Sequence, residues 1–105
     1  MMNAPQLNQR PKFALGQIVI TTNAAGKFAQ SGDRFQPFLS RHQQGDWGDL
    51  DNEDRQANDE AVRFEGDPDR QSRVLSAYQL KDGTKIWIIT EWDRSVTTLL
   101  LPEDY

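Results

Sequence analysis

The chain has 105 residues, a formal net charge of −4 at pH 7 and no cysteine. This length corresponds to one small domain, and the lack of cysteine excludes disulfides, cysteine-ligated zinc and a thiol nucleophile. The acidic balance argues against binding to nucleic-acid phosphates, which needs a basic surface. No apolar run approaches the ~20 residues of a membrane span, and the polar start "MMNAPQLNQRPK" is unlike a secretory signal. We therefore expect a cytoplasmic protein that does not enter a membrane.

The chain divides into a tail over residues 1–11, which is predicted to be disordered, and a single domain over residues 12–105. The domain is predicted to start with a strand over residues 12–22. The β-branched run 18–20 within it favours burial on both faces of the sheet.

Two helices are predicted to follow this strand. Asn23 is a candidate N-cap of the first helix, and Gly32 is expected to end it. Asp33 is a candidate N-cap of the second helix, "RFQPFLSRHQQ", because Gln36 follows three residues later, as a capping box requires. The second helix is expected to stop at Gly45.

The loop "GDWGDLD" leads to a third predicted helix, "EDRQANDEAVRF", which Asp51 or Asn52 is expected to cap. The stretch 46–60 is strongly acidic, because it contains seven acidic residues and only one basic residue, Arg55. Its acidic residues are Asp46, Asp49, Asp51, Glu53, Asp54, Asp59 and Glu60. This local charge favours a basic partner over an acidic one.

The last third of the chain predicts a β-hairpin and a further strand. "RVLSAYQL" and "TKIWIITEW" are joined by "KDG", which suits a type I turn with a glycine bulge, whereas Asp82-Gly83 alone would make a two-residue turn. The two turns differ by one residue of register, which reverses the faces of the strand; we favour the bulge. "KIWIITEW" is apolar on both faces, so it is predicted to be a central strand with Trp87 in the core. "VTTLLL" is the last strand, and Pro102 ends it.

Together these elements predict an α+β fold with the order β-α-α-α-β-β-β. The strands are expected to form a four-stranded, mostly antiparallel sheet with the helices packed on one face. A free edge at the "VTTLLL" strand would make a homodimer possible.

His42 is the only histidine of the chain. It could act as a general base oriented by Asp46, which lies four residues further on, or by Asp49. The alternative is a structural role at the end of the second helix, where a cationic ring suits the helix dipole. One histidine cannot form a two-histidine metal site, and "DLDNED" lacks the glycine of a calcium loop. No metal or other cofactor is expected.

The turn after the central strand carries Glu91, Trp92, Asp93 and Arg94. Functional side chains often follow strand ends, and Glu91 with Arg94 is a second candidate catalytic pair. The alternative is a tight turn in which Asp93 accepts backbone hydrogen bonds and Arg94 pairs with Glu91 or Asp93.

Trp47 stands between two Gly-Asp pairs. An exposed tryptophan among polar residues is typical of a binding hot spot, whereas a buried ring would hold the loop against the sheet. We favour the buried ring. The candidate partner-binding residues are His42, Asp46, Trp47, Asp49, Glu91, Trp92, Asp93 and Arg94.

Several stretches resemble a family of small uncharacterised bacterial proteins that are described as plasmid-related or mobile-element-associated, and sometimes as a restriction-system subunit. These stretches are "LGQIVIT", "FLSRHQQGDWGDL" and "SAYQLKDGTKIWIITEWDRSVTTLLLPEDY". The resemblance covers most of residues 14–105. It implies a setting among mobile genetic elements and brings no catalytic residues with it.

The function that we expect is therefore that of a non-enzymatic, cytoplasmic protein-binding module with a regulatory or inhibitory role. One alternative is a small hydrolase or lyase that uses His42 with Asp46, or Glu91 with Arg94. A second alternative is an acidic module that imitates nucleic acid towards a basic protein. In the leading interpretation the partner is another protein, and neither a nucleic acid nor a membrane is bound.

Overall fold

A computed structural model describes residues 10–105, and most of the tail predicted over residues 1–11 lies outside them. In chain order the elements are β1 Gln17–Ile20, α1 Thr22–Ser31, α2 Gln36–Gln43, α3 Asn52–Arg63, β2 Val74–Gln79, β3 Lys85–Thr90, β4 Val96–Leu100 and a 3-10 turn Pro102–Asp104. One strand, three helices and three strands follow one another, which confirms the predicted α+β order. None of the helices in this described part is long and apolar enough to cross a membrane.

The strands form one sheet in the order β1-β4-β3-β2. β1 runs parallel to β4, and the other two neighbouring pairs are antiparallel. β3 is interior, as its apolar sequence predicted. The expectation that "VTTLLL" forms a free edge is wrong, because β1 pairs along the outer side of β4.

β1 is much shorter and more exposed than the strand predicted over residues 12–22. Ile18, Val19 and Ile20 are 45%, 38% and 37% exposed. The expected burial on both faces is therefore wrong. Isoleucine and valine favour an extended backbone, but their burial depends on what packs around the strand. β1 is an edge strand with β4 as its one neighbouring strand, so its side chains stay partly exposed.

The first two helices begin differently from the prediction. Thr21, rather than Asn23, caps α1, because the Thr21 hydroxyl oxygen accepts a hydrogen bond from the Ala24 amide at 3.1 Å. α2 has no side-chain cap. The carboxylate of Asp33, which was predicted to cap it, accepts a hydrogen bond from the Lys81 amide at 2.8 Å instead. The side chain of Asp33 thus bonds to a residue far away in the sequence, and not to the first turn of α2.

The remaining local predictions are confirmed. Gly32 ends α1, and Asp51 caps α3 by accepting a hydrogen bond from the Asp54 amide at 2.8 Å. In the hairpin, the Leu80 amide donates to the Thr84 carbonyl at 2.8 Å across the loop 81–83. Gly83 has a φ of 86°, which only glycine adopts easily, so the turn is the glycine-bulge form.

The helices pack on one face of the sheet. The larger buried cluster joins α1 and α2 to the sheet and contains Ala24, Phe28, Leu39, Tyr78, Leu80, Ile86, Ile88, Leu99 and Leu101. A smaller cluster contains Phe13, Trp47, Ala61 and Val74. Leu15 packs against both clusters and connects them.

The opposite face of the sheet, which we call the open face, is only partly covered. Along β2, buried residues alternate with more exposed ones, so that Leu75 and Ala77 lie on the open face. Trp87 also lies there, paired with Ala77 and partly exposed. The prediction of Trp87 in the core is therefore wrong. Ile86 and Ile88 take the helix side of β3 in its place.

Candidate functional site

His42 is completely buried between α2 and the sheet. Its Nδ1 atom lies 2.6 Å from Ser76 Oγ on β2, and its Nε2 atom lies 2.9 Å from Thr90 Oγ1 at the end of β3. Both partners are buried too, so the ring connects α2 to two strands through hydrogen bonds that water does not reach.

The surrounding hydroxyl groups determine the tautomer of His42. Thr97 donates its hydroxyl proton to the Leu15 carbonyl at 2.7 Å, so Thr90 must be the donor in the 2.7 Å contact between Thr90 and Thr97. The Thr90 oxygen then accepts from Nε2–H of His42, and Nδ1 accepts the hydroxyl proton of Ser76. A neutral imidazole with its proton on Nε2 satisfies every group in this chain of bonds.

Burial, and to a smaller extent the nearby positive charge of Arg94, lowers the pKa of His42 to about 3. The imidazole is therefore neutral at physiological pH. Asp46 does not orient it, because its carboxylate pairs with Arg41 Nε at 2.6 Å on the surface. That hydrogen bond also holds the pKa of Asp46 below its usual value. The structure does not bring His42 and Asp46 together as a catalytic pair.

The turn after β3 surrounds a buried arginine. Arg94 has a φ of 61° and is 7% exposed. Its guanidinium donates to a carboxylate oxygen of Glu65 at 2.7 Å and to the Ser72 carbonyl at 2.7 Å. It also contacts the backbone carbonyl of Glu91 at 3.1 Å. The tight-turn interpretation predicted that Arg94 pairs with Glu91 or Asp93. That prediction is wrong, because the acidic partner of Arg94 is Glu65.

The other residues of this turn lie on the surface. Glu91, Trp92 and Asp93 are exposed. The Asp93 carboxylate accepts hydrogen bonds from the Ser95 amide at 3.0 Å and from its hydroxyl at 2.6 Å, as expected of a tight turn. These two bonds hold the pKa of Asp93 below its usual value.

Trp47 is buried at 3% exposure, which confirms that its ring holds the loop down. The ring stacks on Phe13 with 6.3 Å between centroids, and its N–H donates to the Asp59 carboxylate at 2.9 Å. The backbone on either side bonds to the edge of β2. The Ala77 amide donates to the Trp47 carbonyl at 3.0 Å, and the Asp49 amide donates to the Ala77 carbonyl at 2.8 Å.

The eight candidate residues therefore do not form one site. His42, Trp47 and Arg94 are buried, so a partner cannot contact their side chains in this conformation. Asp46 lies near the hairpin end of β2, because its carbonyl accepts a hydrogen bond from the Tyr78 hydroxyl. Tyr78 pairs with Ile86 at that end of the strand. The exposed turn follows the other end, where Val74 pairs with Thr90. Four residues of strand, about 13 Å, separate the two ends.

A groove on the open face is the strongest candidate for a binding site. It consists of two adjoining clefts of about 450 and 480 Å³ that share Asp49, Ala77 and Trp87. Tyr105 borders the first cleft, with its ring edge-to-face against Trp87 at 5.8 Å between centroids. Arg73 holds this tyrosine in place by donating to its hydroxyl at 2.7 Å. The groove thus contains an aromatic pair, of which Trp87 lies where the two clefts meet.

One rim of the groove is acidic. Asp49, Asp51 and Asp54 border the first cleft. Of the two basic residues that line the groove, Arg73 is engaged with Tyr105, and Lys85 borders the second cleft. The three carboxylates come from the loop before α3 and from its first turn, next to the apolar floor that β2 and β3 provide.

A separate cleft of about 530 Å³ beside α3 is less suited to binding. Its lining includes Phe64, Arg70 and Glu60. The Arg70 guanidinium covers the Phe64 ring at 4.9 Å from the centroid, so the aromatic surface already has a partner.

Only Asp49 of the predicted candidates lines the groove; Trp87 and Tyr105 were missed. The sequence did contain a signal for Trp87. β3 is apolar on both faces, but helices on one face of the sheet cover only half of those side chains. Tyr105 had no such signal, because it follows the last strand and the stretch looks like a tail.

Within residues 10–105, no group of three or more histidine, aspartate or glutamate side chains could hold a metal ion.

No family model matches this chain, and no curated protein or solved structure is significantly similar to it. A proposal about its function must therefore rest on the geometry of its own residues.

Proposed function

We propose that this protein is a non-enzymatic protein-binding module and that its partner docks in the groove on the open face. The observation that carries this proposal is the position of Trp87 and Tyr105 between an apolar strand surface and an acidic rim. Tryptophan and tyrosine are enriched among the residues that dominate binding energy at protein interfaces.

The surroundings of Trp87 favour binding without a large rearrangement. Trp87 belongs to β3, which has strands on both sides, and Arg73 positions the Tyr105 ring. A site on rigid elements loses less conformational entropy when a partner binds. The complete burial of His42 and its separation from Asp46 further support a binding role over a catalytic one.

The charges specify the chemistry of the partner. A segment with an apolar or aromatic side chain would fill the space beside Trp87, and lysine or arginine residues next to it would face Asp49, Asp51 and Asp54. Complementary charge increases the association rate and selects among partners. The net charge of −4 acts in the same direction.

We further propose that this binding regulates or inhibits a basic protein in the cytoplasm. We also propose that this partner takes part in the exchange between mobile elements and their hosts, a setting that rests on the resemblance of the sequence to plasmid-related proteins. The lack of cysteine in the chain agrees with a reducing compartment.

A random peptide library displayed on phage provides a defined probe for the groove. We expect selected peptides to combine an aromatic or large aliphatic residue with lysine or arginine. Their affinity for a Trp87→Ala variant should fall at least about tenfold, as expected for loss of a hot-spot residue. Affinity for an Asp49→Asn/Asp54→Asn variant should fall less and should depend less on salt.

Trp92→Ala is the matched control, because Trp92 is exposed in the β3–β4 turn and does not line either cleft. It should leave peptide affinity unchanged. Peptides that bind the Trp87→Ala variant as tightly as the original protein would overturn the proposal.

A further inference from the structure

In the part of the chain that the structure describes, β1 is an apolar strand at the edge of the sheet, with no strand on its outer side. Among the described residues, six large hydrophobic side chains are exposed, and three of these are Ile18, Val19 and Ile20. Proteins usually block such an edge with lysine, proline or a bulge. β1 contains neither lysine nor proline, and its register against β4 is regular.

The backbone of β1 has hydrogen-bonding groups directed away from the sheet. The Gln17 amide donates to the Ser95 carbonyl at 2.9 Å, and the Thr21 amide donates to the Leu99 carbonyl at 3.0 Å. Bonding groups alternate along a strand, so those of Val19 also face β4. The N–H and C=O groups of Ile18 and Ile20 therefore point outward, and none of these four groups has a hydrogen-bond partner among residues 10–105.

We infer that β1 pairs antiparallel with β1 of a second copy of this chain, around a twofold axis at Val19. In that register Ile18 faces Ile20 of the other copy, and the four outward groups on each side are all satisfied. A shift along the strand would place Gln17 or Thr21 opposite an isoleucine or valine, which the apolar pattern disfavours.

Charge supports a second copy as the occupant. A twofold axis brings identical segments together, so any charged side chain near the axis would meet its own kind. The stretch between Lys12 and Lys27 contains no charged residue. This uncharged stretch, in a chain with 28 charged residues, makes the β1 edge compatible with itself. The groove beside Trp87 lies on β2 and β3, so it remains accessible in such a dimer.

Cysteine cross-linking tests the register directly, because the chain has no cysteine of its own. Val19 would face Val19 of the other copy in a pair without hydrogen bonds, with Cα atoms about 4.5 Å apart. That distance lies within the usual range for a disulfide of about 4.4–6.8 Å. Under mild oxidation of the full chain, we expect a Val19→Cys variant to form a covalent dimer at least about tenfold faster than the controls.

Two controls distinguish this register from random collision. In Ile18→Cys the two sulfur-bearing residues would be diagonal neighbours about 7–8 Å apart, so cross-linking should be slow. Gln56→Cys places an exposed cysteine on α3. Equal rates for Val19→Cys and Gln56→Cys would overturn the proposal.

The mass in solution provides a second, independent measurement. By light scattering, the protein should reach twice its chain mass of 12.0 kDa as concentration rises. Val19→Lys should raise the dimer dissociation constant at least about tenfold, because it places like charges opposite each other. Gln56→Lys makes the same charge change away from β1 and should leave the dimer intact. A protein that stays at 12.0 kDa, or a dimer that Val19→Lys does not weaken, would contradict the inference.

Discussion

At the scale of single residues, His42 has the position that an apolar side chain would normally have in a core. The hydroxyl groups of Ser76 and Thr90 bond to its ring, and Thr97 extends this network to a third strand by bonding to Thr90. Each of these hydroxyls has a partner within the network, so the neutral ring is buried without an unsatisfied group. A protonated, positively charged ring would be buried among hydroxyl groups without an acidic partner. The network is therefore destabilised by acid.

We predict that His42 makes stability fall as the pH decreases below about 6.5. In the unfolded chain the imidazole takes up a proton near its ordinary pKa of 6.5, but in the folded protein its pKa is about 3. The unfolded state therefore binds more protons between these values, and the stabilising effect of the neutral ring is complete only above pH 6.5. The free energy of unfolding should decrease by about 1.4 kcal/mol between pH 7.5 and 5.5.

Urea denaturation at several pH values measures this dependence. The carboxylates whose pKa values are lowered, such as Asp46 and Asp93, titrate below this interval and contribute little to it. A His42→Gln variant, although less stable, should show a nearly constant free energy of unfolding over the same interval. A constant value for the original protein would show that His42 is not buried as described.

At the scale of elements, the loop between α2 and α3 is fixed from both sides. The Trp47 ring is buried on one side, and the backbone bonds to Ala77 on the other. Gly48 stands at this contact with a φ of 78°, and an added Cβ there would lie 1.9 Å from the Ala77 carbonyl oxygen. No side chain fits without moving the loop away from β2.

We predict that Gly48→Ala destabilises the protein by about 3 kcal/mol or more, since it combines a strained backbone with a steric clash. Gly66→Ala is the matched control. Gly66 also has a positive φ of 89°, but an added Cβ there would meet nothing within 4 Å. It should cost only about 1 kcal/mol, which is the backbone term alone. Chemical denaturation of both variants checks the difference, and equal losses would mean that the loop does not lie against β2.

The features predicted correctly from sequence are those that depend on nearby residues. Gly32 ends a helix, Asp51 caps one, and "KDG" sets the hairpin turn through the conformational preferences of a few residues. The antiparallel pairing of β2 with β3 was predicted because two strands joined by a short turn usually pair as a hairpin. These predictions needed no knowledge of distant neighbours.

The features missed from sequence depend on residues far apart in the chain. Arg94 is paired with Glu65, which lies 29 positions away. The parallel pairing of β1 with β4 joins the two ends of the domain and makes β4 interior. Apolar composition alone could not distinguish buried Ile86 from Trp87 on the open face, because the two neighbouring residues lie on opposite faces of a strand that has apolar residues on both.

At the scale of the whole molecule, the two buried clusters are connected by side-chain packing and hydrogen bonds. Leu15 packs against both, and the bond from Thr97 to the Leu15 carbonyl ties this segment to β4. The His42 ring also lies edge-on to Phe13 at 5.1 Å between centroids, which links the histidine network to the smaller cluster. We therefore expect the clusters to unfold together.

A variant with Trp87→Phe and Trp92→Phe leaves Trp47, in the smaller cluster, as the one tryptophan reporter. We predict that its fluorescence and the far-ultraviolet circular dichroism, which reports on all helices and strands, lose their signals at the same urea concentration. Comparison with the dichroism of the unaltered protein controls for any effect of the substitutions. A fluorescence transition at lower urea would show that the smaller cluster unfolds separately.

The backbone contact between the Trp47 loop and Ala77 has a consequence for aggregation. A sheet with two free edges can add copies at both sides and grow into a fibre. Among residues 10–105, the loop occupies part of the β2 edge through the contact between Gly48 and Ala77, whereas no strand pairs along the outer side of β1. Pairing through one edge uses up that edge in both copies, and growth stops at two. By blocking the β2 edge at Ala77, the loop therefore favours a finite assembly over the polymer that two open edges would allow.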